Sequence, residues 1–273
     1  MLNYSVKVGH EEELGSEPMR QFSIGLNPFP GLRPFTIDES HLFFGREGQV
    51  DEILEKLGKN HSVTVMGYSG SGKSSLMHCG LVPTLYGGFM TNQGPHWIVL
   101  IVRPGNAPIE NLTQAAIKLL LDSNRILPED VHIHRAIISS VLRSGSNGLV
   151  ELTSYLQTEL KENVFFLVDQ FEELFRFKSN GGEESENEAL LYTNLVIHAV
   201  HQRDQPVYVA LNMRSDFIGE CAAFPGLAQM INESNYLVPQ MTRDQKRLAI
   251  EGPVAVGGGQ ISPRLVKRLL SDM

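Results

Sequence analysis

The sequence predicts an α/β fold of three layers, in which a parallel sheet lies between two layers of helices. Four short apolar runs, each followed by turn residues or a helical pattern, are the strands expected of such a sheet, and a weaker run gives a fifth. Continuous apolar runs are typical of strands that are covered on both faces. The chain of 273 residues is long enough for one large α/β domain or a domain and a half. The runs are Ser62–Met66, Trp97–Val102, Val164–Val168, Val207–Leu211 and Tyr236–Val238.

The composition is that of an ordinary globular protein, with 42% hydrophobic and 20% charged residues. The net charge of −8 argues against broad nucleic-acid binding, which needs a basic surface. The two cysteines, Cys79 and Cys221, form no disulfide framework and no CxxC motif, so a reduced setting is expected. Residues 1–25 contain no apolar signal segment, and the longest apolar runs are too short to span a membrane. We therefore expect a cytoplasmic protein with no membrane partner.

The N-terminal part is predicted to hold three different segments. Residues 1–26 are polar and are expected to form a mobile acidic tail. The segment Asn27–Phe35 (NPFPGLRPF) is too apolar for a free linker, so it should pack against the domain in an extended form. A helix is predicted from about Arg46 to Lys59, because its apolar residues share one face.

Two later segments also carry expectations. Ser179–Glu188 (SNGGEESENE) is acidic and Gly-rich, which is typical of a mobile surface loop. Ser262 and Pro263 form a good helix start, and the helix that follows has one apolar face. Because that helix stops at Met273 with nothing to cover this face, we expect the chain to be a fragment of a longer protein. The apolar residues of this face are Leu265, Val266, Leu269 and Leu270.

A phosphate-binding loop is predicted between the first strand and the helix that follows it. The residues GYSGSGKS, from Gly67 to Ser74, match the pattern GxxxxGK[ST] in the strand–loop–helix context that this motif requires. The glycines let backbone N–H groups converge on a phosphate, and the helix N-terminus adds a positive dipole. Lys73 should reach the β- and γ-phosphates, and the Ser74 hydroxyl should bind Mg²⁺. A chance match in a flexible Gly/Ser loop is the alternative. The predicted nucleotide-binding residues here are Gly67, Tyr68, Ser69, Gly70, Ser71, Gly72, Lys73, Ser74 and Ser75.

Three acids follow the third apolar run, in the sequence VFFLVDQFEELF (Val164–Phe175). A buried unpaired carboxylate is costly, so these acids either face water or meet a positive partner. In proteins with a phosphate-binding loop, a neighbouring strand ends in an acid that holds Mg²⁺, and Asp169 fits this position. Glu172 and Glu173 follow on the turn, where one of them, Glu173 slightly ahead of Glu172, could orient or deprotonate the attacking water. The alternative is that both are first-turn acids favoured by a helix dipole.

Arg214 follows the fourth apolar run and should lie at the same edge of the sheet. An arginine there can sense the γ-phosphate and stabilise charge in the transition state. A surface ion pair with Asp216 or Glu220 is the alternative interpretation.

Several motifs together resemble the STAND NTPases, and most closely the bacterial novel STAND group. They are FPGLRPF (Phe29–Phe35), LFFGRE (Leu42–Glu47), GYSGSGKSSL, LVDQFEELF and NMRSDF. The resemblance covers about Asn27 to Met273, nearly everything except the tail. The Gly-x-Pro motif and the winged-helix domain that usually complete such modules are not matched in this sequence.

The resemblance implies a P-loop NTPase core of the ASCE type, related to AAA+ proteins, over residues 27–240. We expect the strand order 5-1-4-3-2 for this core. Residues 241–273 would form the start of a helical lid. Gly45 and Arg46 would flank the nucleotide, with Arg46 contacting the nucleotide or the lid. Arg214 would be the sensor.

We therefore predict Mg²⁺-dependent binding of ATP and its hydrolysis to ADP at the β–γ bond. The resembled family uses ATP as a switch, so nucleotide state is expected to control assembly or signalling, including antiviral defence. Self-association or a protein trigger would then be the expected partner. Two other functions stay open: an AAA+-like, DNA-associated loader or remodeller, and a nucleotide-bound scaffold that does not turn over.

Overall fold

The computed structural model describes residues 27–88, 96–202 and 204–272, so the predicted tail at 1–26 lies outside the described residues. Its centre is a five-stranded parallel sheet. The order β2-β3-β4-β1-β5 confirms the predicted order 5-1-4-3-2, read here from the opposite edge. The strands are β1 (Ser62–Gly67), β2 (Trp97–Val102), β3 (Asn163–Val168), β4 (Tyr208–Arg214) and β5 (Asn235–Leu237).

Helices cover both faces of this sheet. A π-helical turn, Leu76–Leu81, joins α2 to α3, and short 3₁₀ helices lie at Ile37–Leu42, Pro128–Asp130 and Ser215–Ala223. The α-helices are α1 (Glu47–Asn60), α2 (Lys73–Ser75), α3 (Val82–Tyr86), α4 (Pro108–Asp122), α5 (Val131–Arg143), α6 (Gly148–Leu160), α7 (Glu173–Asn180), α8 (Gly182–His201), α9 (Leu227–Ser234), α10 (Arg243–Val256) and α11 (Pro263–Asp272).

Alternate side chains of the central strands enter two separate hydrophobic clusters. In β3, Phe166 and Val168 enter the cluster that includes residues of α4, α6 and α8. Phe165 and Leu167 of the same strand enter the cluster that includes residues of α1 and α3. Because both faces are covered, the strand is continuously apolar rather than alternating. The two clusters on opposite faces of one sheet confirm the predicted three layers.

The acidic segment Ser179–Glu188 is helical, so the prediction of a mobile surface loop there is wrong. α7 ends at Asn180 and α8 begins at Gly182, so most of the segment forms the first two turns of α8. The residues after Glu188 keep a helical pattern of buried positions and pack one face of α8 into the core. That burial stabilises the helix, and the positive end of the helix dipole favours the acids at its start.

The proline-rich segment Asn27–Phe35 packs against the domain mainly at its end. The N–H of Phe35 donates to Ser75 Oγ at 3.2 Å, and the Phe35 ring meets the Phe43 ring edge-on, with 6.1 Å between centroids. Leu32, in contrast, is fully exposed. The expectation of a packed extended segment therefore holds for Phe35 and not for Leu32.

α10 lies beside the segment that precedes α1. Thr242 caps this helix, because its hydroxyl accepts the N–H of Gln245 at 3.3 Å. Gly252 of α10 lies against the ring of Phe44, where an added Cβ would come within 2.6 Å of ring carbons. A glycine is therefore needed for this close contact between α10 and the N-terminal segment.

α11 begins at Pro263, directly after Ser262, as the sequence predicted. Val266 is buried, whereas Leu265 and Leu269 are exposed. None of the helices in the described part of the chain combines the length and the hydrophobicity that crossing a membrane requires.

Candidate functional site

The loop after β1 curls over the start of α2. Gly70 and Gly72 have φ angles of +78° and +86°, in the left-handed region that favours glycine. The N–H of Ser71 donates to the Tyr68 carbonyl at 3.2 Å and closes a turn. The N–H of Leu76 donates to the Gly72 carbonyl at 2.8 Å, so the helix begins directly after the loop. A tight loop that feeds a helix start in this way offers backbone N–H groups to an anion.

Lys73 is buried at the base of this loop. Its Nζ donates to the carbonyls of Gly67 at 2.9 Å and Tyr68 at 2.8 Å. Desolvation lowers the pKa of Lys73, and the carboxylates of Glu172 and Asp169 act in the opposite direction. The ammonium group is thus held by carbonyls of the loop itself.

Three polar side chains meet where β3 and β4 end beside the loop. Ser74 Oγ donates to Asp169 Oδ1 at 3.1 Å. Asn212 Nδ2 lies 2.6 Å from the same carboxylate oxygen and 3.1 Å from Ser74 Oγ. The Oδ1 atom of Asn212 is buried and has no hydrogen-bond partner among the described residues. The sheet order explains this meeting, because β4 lies directly between β3 and β1.

The oxygens of this cluster fit a hard divalent cation such as Mg²⁺. Hydroxyl, carboxylate and amide oxygens are the ligands that Mg²⁺ prefers. In the described ranges of the chain, no group of three or more His, Cys, Asp or Glu side chains could hold a metal ion. A cation bound by Ser74 and Asp169 would therefore take its remaining ligands from phosphates and water, as Mg²⁺ does in phosphate-binding loops.

Arg103, which follows β2, occupies the other oxygen of Asp169. Its Nε and one terminal nitrogen lie 3.2 Å and 2.9 Å from Asp169 Oδ2. The Arg103 side chain is 51% exposed and that of Asp169 only 1%. The pair therefore joins a buried carboxylate to a guanidinium at the surface, and it supplies the positive partner that a buried acid needs.

The Glu172 and Glu173 side chains accept hydrogen bonds from different parts of the chain. Glu172 is 7% exposed, and its Oε2 accepts the backbone N–H of Arg214 at 3.3 Å. Glu172 is also the carboxylate with the largest effect on the pKa of Lys73. Glu173 opens α7, and its Oε2 accepts the backbone N–H of Gly105 at 3.1 Å. The geometry thus favours Glu172, rather than Glu173, as the acid on the phosphate-loop side.

Arg214 forms the surface ion pair that the alternative interpretation predicted. Its Nε donates to Asp216 Oδ1 at 3.0 Å, and its guanidinium carbon lies 5.5 Å from the centroid of the Phe217 ring. The hydrogen bond with Asp216 raises the pKa of Arg214. This pair uses Nε and one terminal nitrogen of Arg214, so the guanidinium keeps further donors for a phosphate.

Arg46, directly before α1, is buried and forms hydrogen bonds that hold the phosphate loop. One terminal nitrogen donates to Gln49 Oε1 and to the Pro239 carbonyl, both at 2.8 Å. The other donates to the Ser71 carbonyl at 3.1 Å. Burial lowers the pKa of Arg46. This side chain thus ties the loop to the segment that leads into α10.

Gly45 and Ser75 contact neighbouring segments. Gly45 has a φ of +85° and lies so close to α10 that an added Cβ would come within 2.5 Å of the Gln245 carbonyl oxygen. Ser75 Oγ accepts the N–H of Phe35, at the end of the proline-rich segment. A contact of Gly45 with a nucleotide would therefore come from its backbone.

Sequence reasoning missed Arg103 and Asn212. A signal existed for each, because Arg103 directly follows the apolar run Trp97–Val102 and Asn212 directly follows the apolar run Val207–Leu211. In open α/β sheets, ligands bind beyond the carboxyl ends of the strands. Polar residues at those ends of β2 and β4 were therefore candidates alongside Asp169.

Comparison with protein families gives one match that covers most of the chain. The family described as Novel STAND NTPase 1 matches residues 28–273. Comparison with curated proteins finds no match.

Solved structures share the fold. The ORC2 protein of Aeropyrum pernix, in ADPNP-ADP complexes, aligns with a TM-score of 0.51 at 13% identity, over 77% of this chain and 52% of that one. A Walker-type ATPase of Pyrococcus abyssi aligns with a TM-score of 0.54 at 14% identity, over 88% of this chain and 65% of that one. The chain thus spans between half and two-thirds of the length of these structures. At such identities the likeness shows a common fold and nothing about activity.

Proposed function

Because the chain belongs to the novel STAND NTPase family, we propose that it is a nucleotide switch that binds ATP with Mg²⁺ and hydrolyses it to ADP. The observation that carries this proposal is the meeting of Ser74, Asp169 and Asn212 beside the phosphate loop. These residues come from three separate parts of the sequence, and a chance GxxxxGKS match would not bring them together.

The phosphate groups are assigned to the loop from Gly67 to Ser75. Lys73 is held by two carbonyls of this loop, and a phosphate would offer it a charged acceptor instead. We therefore expect Lys73 to turn from the Gly67 and Tyr68 carbonyls toward the β- and γ-phosphates. The backbone N–H groups of the loop would complete the phosphate site.

Ser74 and Asp169 are the proposed Mg²⁺ residues. When bound, Mg²⁺ would neutralise phosphate charge and help to orient the γ-phosphate. Asn212 donates to both side chains, so it fixes their separation. It therefore acts on the metal site by holding its ligands in place.

Glu172 is the preferred residue for positioning the attacking water, with Glu173 as the second candidate. Glu172 is the carboxylate whose charge does most to raise the pKa of Lys73, and the backbone N–H of Arg214 donates to its Oε2. A carboxylate held in this way can accept a proton from water near the γ-phosphate. Glu173, in contrast, is engaged by the loop after β2.

Arg214 and the C-terminal helices are the proposed readers of nucleotide state. The backbone N–H of Arg214 donates to Glu172 Oε2, so a movement of Glu172 would also displace Arg214. Arg46 joins the phosphate loop to Pro239, just before the proposed helical lid at residues 241–273, and Gly45 lies against Gln245 within that lid. Rearrangement of this lid would control self-association or signalling, and antiviral defence is one setting in which such switches act.

The first test measures bound nucleotide and ATP turnover of the purified chain, with and without Mg²⁺. The parent is compared with the double variant Glu172→Gln/Glu173→Gln. We expect the parent to hydrolyse ATP in the presence of Mg²⁺, and the variant to bind ATP without hydrolysing it. If the parent retains nucleotide without turnover, the result would support a nucleotide-bound scaffold or a site that needs a partner for turnover. Turnover that rises several-fold with DNA would instead support a DNA-associated loader or remodeller.

A further inference from the structure

The loop between β2 and α4 is attached to the acid motif at two points. Arg103 donates from two nitrogens to Asp169 Oδ2, and the N–H of Gly105 donates to Glu173 Oε2. On its other side the loop is attached to α4, because Asn111 Nδ2 donates to the carbonyls of Arg103 at 3.3 Å and Pro104 at 2.8 Å. The conformation of this loop therefore depends on what Asp169 and Glu173 bind.

Asp169 has a different partner on each of its oxygens. Oδ1 faces Ser74 and Asn212, where a divalent cation is expected, whereas Oδ2 faces Arg103. A carboxylate that is 1% exposed is costly without a positive partner. In the arrangement described here, that partner is the guanidinium of Arg103.

A divalent cation and Arg103 would place three positive charges around one carboxylate. Like charges at such short range repel strongly when the site is partly shielded from water. The Arg103 side chain is half exposed, so it can reach water when it leaves Asp169. Lys73 cannot reach water in the same way, since it is buried and donates to the loop carbonyls.

We propose that Arg103 is a positioning residue that balances the charge of Asp169 in the cation-free state and leaves it when Mg²⁺ and nucleotide bind. Its departure loosens the β2–α4 loop, residues 103–107, so that the loop reports the occupancy of the metal site. This inference rests on the proposed function, because it assigns Asp169 to the cation.

The test is a Mg²⁺ titration of binding, with a fluorescent, non-hydrolysable ATP analogue as the probe. The variants are Arg103→Gln, which removes the charge, and Arg103→Lys, which keeps it. Arg135→Gln is the matched control, because Arg135 is a similarly exposed arginine that pairs with Glu110 on the neighbouring helix. Circular dichroism and thermal unfolding establish that each variant is folded.

We expect Arg103→Gln to lower the Mg²⁺ concentration at half-maximal binding by about 2- to 5-fold, as expected for the loss of one competing ion pair. Arg103→Lys should restore most of the parental value, and Arg135→Gln should equal the parent. Hydrogen exchange gives the second readout. In the parent, Mg²⁺ and the analogue should speed exchange at Gly105, and in Arg103→Gln this exchange should already be fast without them.

Two results would overturn the inference. An Arg103→Gln variant with the parental Mg²⁺ midpoint would show that Arg103 does not compete with the cation. A raised midpoint would show that Arg103 supports the metal site instead. Either result leaves the proposed function standing, provided that the parent binds the analogue in a Mg²⁺-dependent way. If the parent shows no Mg²⁺-dependent binding, the proposed function fails together with this inference.

Discussion

Two acid-rich segments lie close together in the sequence and have different surroundings in the fold. The first, residues 169–173, holds the buried acids Asp169 and Glu172. The second, residues 183–188, forms the start of α8, where most of the acids are exposed. In the second segment Glu186 pairs with Lys178 at 3.0 Å, and the Glu186 side chain is 51% exposed.

The preceding structure accounts for this difference. The first segment follows β3, so its acids lie at the carboxyl ends of the parallel strands, where β4 supplies Asn212 and the start of α2 supplies Ser74. The second follows a helix and opens another helix, so water and the helix dipole stabilise its charges. Burial among converging polar groups, rather than acid content, thus separates a candidate site from a solvated helix start.

The largest expected contrast is in ATP affinity, between the alanine variants of Lys73 and Lys178. Lys73→Ala removes the only side-chain cation of the phosphate loop, from Gly67 to Ser75, and with it charge-assisted bonds to two phosphates. At about 1.5–3 kcal/mol for each bond, ATP binding should weaken by about 10²–10⁴-fold. Lys178→Ala should leave ATP binding unchanged, since Lys178 pairs with Glu186 in the second segment. Calorimetry would measure both affinities, and equal binding by Lys73→Ala and the parent would refute the phosphate site.

A second contrast exchanges one carboxylate for an amide in each segment. Glu172→Gln keeps the size of the side chain but removes its ability to take a proton, so kcat should fall about 100-fold while ATP affinity changes little. Glu186→Gln should turn over ATP like the parent. Steady-state hydrolysis and equilibrium binding would be measured for both variants. A fully active Glu172→Gln with an impaired Glu173→Gln would reverse the preference that the geometry gives.

Most of the fold could be predicted because the apolar runs carry a strong and local signal. The five runs became the five strands, and the strand order followed from the resemblance to a P-loop family. The start of α8 was predicted wrongly because Gly181, Gly182 and the acids favour a loop locally. Packing of later residues, from Ala189 onward, overrides that local preference.

The site was predictable only where a motif marks it. The pattern GxxxxGK[ST] marks Gly67 to Ser74, and Asp169 was proposed because it directly follows an apolar run. Arg103 and Asn212 lie far from Asp169 in sequence, so their contacts with it depend on which strands are neighbours. The direction of the Glu172 side chain depends on where α7 begins, which sequence patterns locate poorly.

Glu188, in the second segment, is more buried than Glu186 and less buried than Asp169. Its side chain is 16% exposed, and its Oε1 accepts the N–H of Ile109 at 3.2 Å and pairs with Arg143 at 3.3 Å. Glu188→Ala leaves an N–H in the first turn of α4 without this acceptor, so unfolding free energy should drop by about 1–2 kcal/mol. Denaturant unfolding would measure the drop, with Glu186→Ala as an exposed control that changes stability by less than about 0.5 kcal/mol. A Glu188→Ala variant as stable as this control would show that burial at this position adds nothing.

The smallest expected effect belongs to the exposed acids Glu183 and Glu184, in the first turn of α8. Carboxylates there interact with the positive end of the helix dipole, at about 0.3–1 kcal/mol in low salt. The single variant Glu183→Gln should therefore lower the unfolding free energy within that range in a low-salt buffer. In about 1 M salt the Debye length falls to about 3 Å, so the difference should nearly vanish. Denaturant unfolding at the two salt concentrations would measure this change. A loss of stability that persists in high salt would mean that Glu183 makes direct, shielded contacts, and that the two segments differ less than their exposure indicates.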